Sequence, residues 1–175
     1  ARYQTSKLSY MSVCTRGVSN QGCQVQKTRA FFSFNSLSLP QTHEQSYHWA
    51  LVIGPANPTP DSTGRRFRAK NTLLPNSSTG ELEQIWMAEE HECSMMTEDF
   101  LLGRIVIDTV HDSEALVDVL RKVNVVQGDC VHWVRQTLNV LKGKEGVLED
   151  CVEDCVLDWN EVRDGVMRFM AKKRE

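Results

Sequence analysis

Cys130 has a residue type and a position that could support chemistry, because it is a cysteine at the expected start of a helix. Cys130 follows Gly128-Asp129, a turn and then a residue type that caps helices. Apolar residues recur after it at helical spacing and predict one buried helix face: Val131, Val134, Leu138 and Leu141. Backbone N–H groups and the helix dipole would lower the pKa of a thiol at that place. The sequence therefore predicts a nucleophile, although a small buried hydrophobic residue is the commoner role of a free cysteine.

A histidine far upstream could serve as the base for this thiol. His48 begins a short, nearly continuous apolar run that ends at Gly54-Pro55, and such a run predicts a buried strand. Thiol catalysis needs an imidazole that takes the thiol proton and later returns it to the leaving group. His43, in the preceding loop, is a rival for this role. Since Cys130 and His48 lie far apart in the chain, only the fold can bring them together.

Two segments around these residues resemble a known enzyme family. His-Trp-Ala-Leu-Val-Ile-Gly at 48–54 and Asp-Cys-Val-His-Trp-Val at 129–134 resemble the signature segments of lecithin:retinol acyltransferase-like and phospholipase/acyltransferase enzymes. These enzymes are circularly permuted relatives of papain-like NlpC-type peptidases. The second segment matches the family pattern Asn-Cys-Glu-His-Phe-Val at Cys130, His132 and Val134, with Trp133 as the aromatic residue. The chain is also similar to uncharacterised fungal proteins with His-Trp-Ala-Leu and Cys-x-x-Trp-Val motifs, and the resemblance covers residues 30–141.

The resemblance implies a fold and a catalytic set. It implies an α+β domain of permuted papain-like type, with a small antiparallel sheet and helices packed on it. Cys130 would be the nucleophile and His48 the base. In the family a third group on the next strand, commonly a histidine, orients the base, and this sequence has no histidine there. Arg68 matches its phase, whereas Asn71 has the better chemistry because an amide oxygen can accept from an imidazole N–H; the alternative for both is a solvated strand residue.

Three functions follow from this reading. The first is a cysteine-dependent hydrolase or acyltransferase that acts on an ester, thioester or amide. The second is an isopeptidase, or deubiquitinase-like cysteine peptidase, which the PPPDE branch of the permuted fold implies. The third is a binding module that keeps the fold and has lost the chemistry. For the enzyme we expect the substrate to contact four residues: Trp49, Trp86, Trp133 and Gln127.

Composition bounds the remaining possibilities. The 175 residues, with 41% apolar and 25% charged side chains, are typical of one globular domain, which we expect over 30–175 behind a flexible polar arm at 1–29. A net charge of −3 without a basic stripe disfavours nucleic-acid binding. No apolar run reaches the length of a membrane span, so we expect no stable membrane insertion. The six cysteines follow no zinc-ligand spacing, so we expect no metal or cofactor. We also expect reduced thiols and a cytoplasmic location. The expected substrate is a small molecule or an acyl compound, and the oligomeric state stays open.

Periodicity predicts the elements that would position the site. Strands are expected at 30–34, 48–54, 65–71 and 101–110, the third pairing with an earlier one. Helices are expected after Asp112 or Ser113, from Cys130, and over 159–173. The acidic segment 81–100 carries Trp86 and three methionines, which favours a helix packed on the core over an apolar substrate or partner surface. The first of the three helices has four residues on its expected buried face: Leu116, Val119, Leu120 and Val123.

Overall fold

A computed structural model of the protein describes residues 28–36, 47–96, 101–125, 128–148 and 158–172. These ranges contain an α+β fold, as the sequence predicts. The strands are β1 (Thr28–Ser36), β2 (Tyr47–Pro55), β3 (Thr63–Pro75), β4 (Leu82–Ser94) and β5 (Leu101–Thr109). The helices are α1 (Ser113–Arg121), α2 (Cys130–Lys142) and α3 (Trp159–Lys172).

The strands form one antiparallel sheet in the order β4-β3-β2-β1-β5. β1 and β2 pair along their whole lengths, from Thr28 opposite Pro55 to Ser36 opposite Tyr47. β2 and β3 pair only between Leu51–Ile53 and 65–67. The ladder between β2 and β3 therefore stops before it reaches His48.

The two faces of the sheet have different neighbours. Side chains alternate along a strand, so one face carries Phe32, Leu51, Phe67 and Ile105, which pack with the helices in the main core. The other face carries a smaller apolar cluster of Phe31, Val52, Cys93 and Met95. Polar and charged residues of β2, β3 and β4 continue that second face. Which face a functional side chain uses therefore follows from whether its residue number is odd or even within its strand.

α1 is capped as the sequence predicts. The side-chain oxygen of Asp112 accepts hydrogen bonds from the backbone N–H groups of Glu114 at 3.0 Å and Ala115 at 2.9 Å. The buried residues within the helix are Leu116, Val117 and Leu120. Val119 is half-buried, and Val123 is buried just after the helix ends.

The expected helix in 81–100 is wrong. Residues 82–94 form β4, and each residue from Thr63 to Pro75 has a β4 partner in a long hairpin with β3. Charged side chains oppose each other across this hairpin, as Arg68 does Glu89. Residues 82–94 form a strand because their pairing with the long strand β3 outweighs local helix propensity. The four predicted strands are confirmed as β1, β2, β3 and β5, and β3 runs beyond the predicted end at residue 71.

Two glycines allow Met95 to pack on the second face. A Cβ on Gly54 would lie 2.6 Å from the Met95 sulfur, and one on Gly64 would lie 2.5 Å from it. Any side chain at either position would overlap Met95, which is fully buried. The requirement for glycine is stricter at 64, because a Cβ there would also lie 2.8 Å from the Ile53 carbonyl oxygen, which cannot move aside as the end of a methionine side chain can.

Several predictions lie outside the described residues. These are most of the expected arm at 1–29, whose last two residues begin β1, and the candidate site residues His43 and Gln127. Among the described helices, none has both the length and the apolar character needed to cross a bilayer.

Candidate active site

α2 brings Cys130 to the start of β2. The N-cap Asp129 accepts a hydrogen bond from the His132 N–H at 2.7 Å, so Cys130 occupies the first helical position. Its sulfur accepts from the Trp49 backbone N–H at 3.4 Å and donates to the Tyr47 carbonyl at 3.6 Å. These two backbone groups flank His48. The fold thus brings the two motif segments together.

The imidazole of His48 leaves the strand on the other face of the sheet. The Trp49 ring is fully buried on the helix side, 4.9 Å from the Trp159 ring in an edge-to-face contact. Strand alternation therefore directs the neighbouring His48 side chain away from the helices. No hydrogen bond within the described residues joins the Cys130 sulfur to a His48 ring nitrogen. The sulfur lies beside the His48 backbone rather than on its imidazole.

His48 is neutral near pH 7. Burial lowers its pKa from 6.5 to about 4, with further lowering by the charges of Arg68, Arg66 and Lys70. Glu89 acts in the opposite direction but does not outweigh them. A neutral imidazole is the form that can accept a proton, while the surrounding cations oppose its holding one.

Burial also keeps the Cys130 thiol protonated. The side chain is 3% exposed, and desolvation raises its pKa, with a smaller contribution from the charge of Asp129. The N–H groups of Trp49, Cys130 and Val131 act in the opposite direction. The predicted lowering of this pKa is therefore wrong, because burial outweighs the backbone dipoles at the helix start.

Arg68 and Glu89 surround His48 on its own face. Arg68 lies in phase with it on β3, as the sequence predicts, but it is ion-paired to the Glu89 carboxylate. Lys70 Nζ also bonds Glu89, at 3.2 Å, and His91 Nδ1 lies 3.6 Å from it. The charge of Arg68 thus opposes protonation of His48, and its guanidinium cannot accept a hydrogen bond from the imidazole N–H. Sequence reasoning missed Glu89, the carboxylate near His48. Glu89 and His91 are two residues apart, which places both on one face of a strand, but the segment was assigned to a helix.

The structure does not bring Asn71 to His48. Asn71 is exposed and shares its strand phase with Phe67 and Ala69, whose side chains face the helices. It lies opposite Trp86 on β4. A side chain in this phase points away from the sheet face that carries His48.

Comparison with known proteins identifies a family. The sequence matches the family of unknown function DUF6914 over residues 30–175. The chain belongs to this family. No curated protein and no solved structure gave a significant match.

The tryptophans of this DUF6914 protein differ in their access to a substrate. Trp49 is fully buried in the core, and Trp86 is half-buried on β4. Trp133 is 2% exposed but lines a cavity between the sheet and the helices. Of the three, Trp133 is therefore the one placed beside space that a small molecule could fill.

No metal-binding cluster occurs in the described part of the DUF6914 chain, where no three His, Cys, Asp or Glu side chains converge. The site consists instead of one thiol, one imidazole and a charged sheet face. Its available chemistry is proton transfer and nucleophilic attack.

Proposed function

We propose that this protein is a cysteine-dependent acyl-transfer enzyme, a hydrolase or acyltransferase, built on a permuted papain-like fold. One observation carries the proposal. The sulfur of Cys130, at the first turn of α2, contacts the backbone on both sides of His48, at 3.4 Å from the Trp49 nitrogen and 3.6 Å from the Tyr47 oxygen. Two motifs from distant parts of the chain thus meet at the residues that thiol chemistry would use.

The reaction begins with transfer of the thiol proton to the neutral imidazole of His48. The sulfur attacks the carbonyl carbon of an ester, thioester or amide, and the carbonyl electron pair moves to oxygen. Collapse of this intermediate expels the leaving group, which takes the proton from the imidazolium, and leaves an acyl group on Cys130. Water or an amine or hydroxyl acceptor then takes the acyl group and restores the thiol.

Three backbone N–H groups support the sulfur during attack. Those of Trp49, Cys130 and Val131 all lower the thiol pKa and would stabilise a thiolate. The low pKa of His48 limits the population of its protonated form at rest. Thiolate formation would therefore be coupled to substrate attack, in contrast to enzymes that hold a stable thiolate–imidazolium pair.

The proposal requires one motion. The ring of His48 must turn toward the edge of β2 where the sulfur lies, to bring a ring nitrogen within hydrogen-bond reach. The pairing of β2 with β3 stops at Leu51, so the ladder does not occupy that edge at His48. Catalytic hydrogen bonds are commonly long or poorly aligned before substrate binds.

The test is turnover of a panel of activated esters and thioesters. We expect activity that is lost in Cys130→Ala and reduced about a hundredfold or more in His48→Ala, the range for removal of a general base. Cys93→Ala is the matched control, since Cys93 is the other buried cysteine among the described residues. Activity that survives in Cys130→Ala would contradict the proposal.

A second candidate is a binding module without chemistry. The observation that favours it is the covered, protonated state of Cys130: 3% exposed, with a raised pKa and two backbone partners. In this role the thiol simply joins α2 to β2. It predicts a folded protein that acylates at no cysteine, whatever donor is supplied.

A further inference from the structure

Positive charge collects on the sheet face that carries His48. Arg66, Arg68 and Lys70 occupy alternate positions of β3, so strand alternation places all three side chains on one face. Glu89 of β4 lies directly opposite Arg68 on this face, and its carboxylate pairs with both Arg68 and Lys70. One carboxylate thus serves two cations, which leaves one positive charge unbalanced among these three side chains.

Arg68 keeps a donor edge that its pairing with Glu89 does not use. Within the described residues its hydrogen bond runs from Nε to the Glu89 carboxylate, so the terminal nitrogens Nη1 and Nη2 have no partner there. The side chain is 18% exposed, and these two nitrogens are its atoms farthest from the backbone of β3. Together they form the flat end of the guanidinium, which fits the two oxygens of one carboxylate.

A ligand charge at this donor edge would act on the proposed base. Burial and the charges of four neighbours are the main influences on the His48 pKa, and Arg68 exerts the largest of the charge effects. The three cations lower this pKa, whereas Glu89 raises it. An anion held by Arg68 would act in the same direction as Glu89 and would favour protonation of the ring.

Two further titratable side chains lie near His48. His91 of β4 shares its face of the sheet, with Nδ1 at 3.6 Å from Glu89 and Nε2 bonded to Arg66. Cys130 of α2 reaches the edge of β2 from the helix side, and burial keeps its thiol protonated by raising its pKa. The response of His48 must therefore be followed through its own ring signals, separately from those of His91.

We propose that the acyl donor carries a carboxylate whose two oxygens accept hydrogen bonds from Nη1 and Nη2 of Arg68. Its single negative charge balances the positive charge that Glu89 leaves over. The proposal rests on the acyl-transfer function proposed above and names its substrate class, a thioester or ester of an acid that has a second carboxylate. Binding of this carboxylate strengthens His48 as a base, so the thiol proton is transferred most readily when such a donor is in place.

The first experiment measures binding without turnover. The ring signals of His48 in the ¹³C-labelled full chain, assigned with His48→Gln, are titrated with pH in the presence of trifluoroacetate, a carboxylate that stays ionised at low pH. Trifluoroacetamide is the uncharged counterpart, and chloride holds the ionic strength constant because salt alone would screen the cations. We expect trifluoroacetate to raise the His48 pKa from about 4 by about one pKa unit, in a saturable manner, and trifluoroacetamide to leave it unchanged. No saturable rise with trifluoroacetate would overturn the proposal.

Variants of β3 test which cation holds the anion. Arg68→Met should weaken trifluoroacetate binding about tenfold or more, the value of a hydrogen bond to a charged group. Arg68→Lys keeps the charge but loses the two-nitrogen edge, so its affinity should lie nearer to that of Arg68→Met than to that of the native chain. Arg65→Met is the matched control, because Arg65 pairs with Glu90 and has the opposite strand phase. Native affinity in Arg68→Lys, or an equal loss in Arg65→Met, would contradict the two-nitrogen contact.

A matched set of donors links this contact to turnover. Succinyl, glutaryl and adipyl thioesters carry a carboxylate at three distances from the reacting carbonyl, and their monomethyl esters lack the charge. We expect kcat/KM to favour at least one charged donor over its methyl ester about tenfold or more, and Arg68→Met, but not Arg65→Met, to remove the preference. Equal kcat/KM for every charged donor and its methyl ester would contradict the substrate class. If no donor reacts while trifluoroacetate still raises the His48 pKa, the acyl-transfer function is refuted and the carboxylate site is not.

Discussion

The backbone N–H of Trp49 donates a hydrogen bond to the sulfur of Cys130 across 3.4 Å. The two residues are 81 positions apart in the chain and lie on different elements, a strand and the first turn of a helix. This contact links the two sequence motifs directly. It gives the thiol a structural role in joining α2 to β2, and it sets a donor beside the sulfur that would stabilise a thiolate.

The structural role predicts a loss of stability on truncation. Cys130→Ala would leave the buried Trp49 N–H without its sulfur acceptor, which costs about 1–3 kcal/mol in the free energy of unfolding. Cys130→Ser keeps a donor and an acceptor and should lose less. Urea denaturation of the three proteins measures the differences. An alanine variant as stable as the native chain would show that the contact contributes nothing.

Because nearby cations lower the pKa of His48, we expect that removing one of them raises this pKa. Arg68→Met removes the largest charge effect on His48 and leaves Glu89 with one cationic partner fewer, and both changes raise the His48 pKa. We expect a rise on the order of one pKa unit from a value near 4, the usual effect of a close charge. An NMR titration of the His48 ring signals measures it. Arg65→Met is the control, because Arg65 pairs with Glu90 and is not among the charges that act on His48. Equal shifts in both variants, or none, would contradict this electrostatic account.

The pKa of His48 also predicts how stability depends on pH. The ring titrates near 6.5 in the unfolded chain and near 4 in the folded one, so the unfolded chain binds more protons between these values. Stability from the neutral ring is therefore present above pH 6.5 and is lost as the pH falls toward 4. The loss is on the order of 2 kcal/mol, allowing for solvent screening of a partly exposed ring.

His48→Gln cannot titrate and should flatten this part of the stability curve. Denaturant unfolding at pH 4, 5, 6 and 7 measures the slope for both proteins. His132→Gln serves as the comparison, because His132 is exposed on α2. A native slope that persists unchanged in His48→Gln would assign the pH dependence to other groups.

The sequence predicts the strand and helix of the candidate site, but it does not predict the directions of their side chains. The apolar run after His48 and the helical spacing after Cys130 predict β2 and α2, because burial imposes those periods on the chain. The meeting of the two motifs follows from the resemblance and not from either period. What periodicity could not give is the phase of β2, which turns Trp49 rather than His48 toward the helices. In a run that is buried on both faces, composition does not mark which residues face which layer.

Tertiary context explains the other differences. The segment 81–100 is acidic and contains three methionines, and only the pairing of residues 82–94 with β3 makes that part a strand. That error concealed Glu89, the carboxylate nearest to the His48 cations. The position of Cys130 at a helix start predicts a lowered pKa, whereas burial, which a sequence does not specify, raises it.

The proposed acyl transfer requires that Cys130 becomes acylated. Intact-protein mass spectrometry after brief exposure to activated esters and thioesters, with peptide mapping of any adduct, measures this directly. We expect one acyl group on Cys130, none in Cys130→Ala, and an undiminished adduct in Cys93→Ala. An added amine or alcohol should discharge the acyl group faster than water if the enzyme is a transferase, and at the same rate if it is a hydrolase. No adduct on Cys130 across the panel, in a protein whose native fold is intact, would contradict the account and favour the binding module.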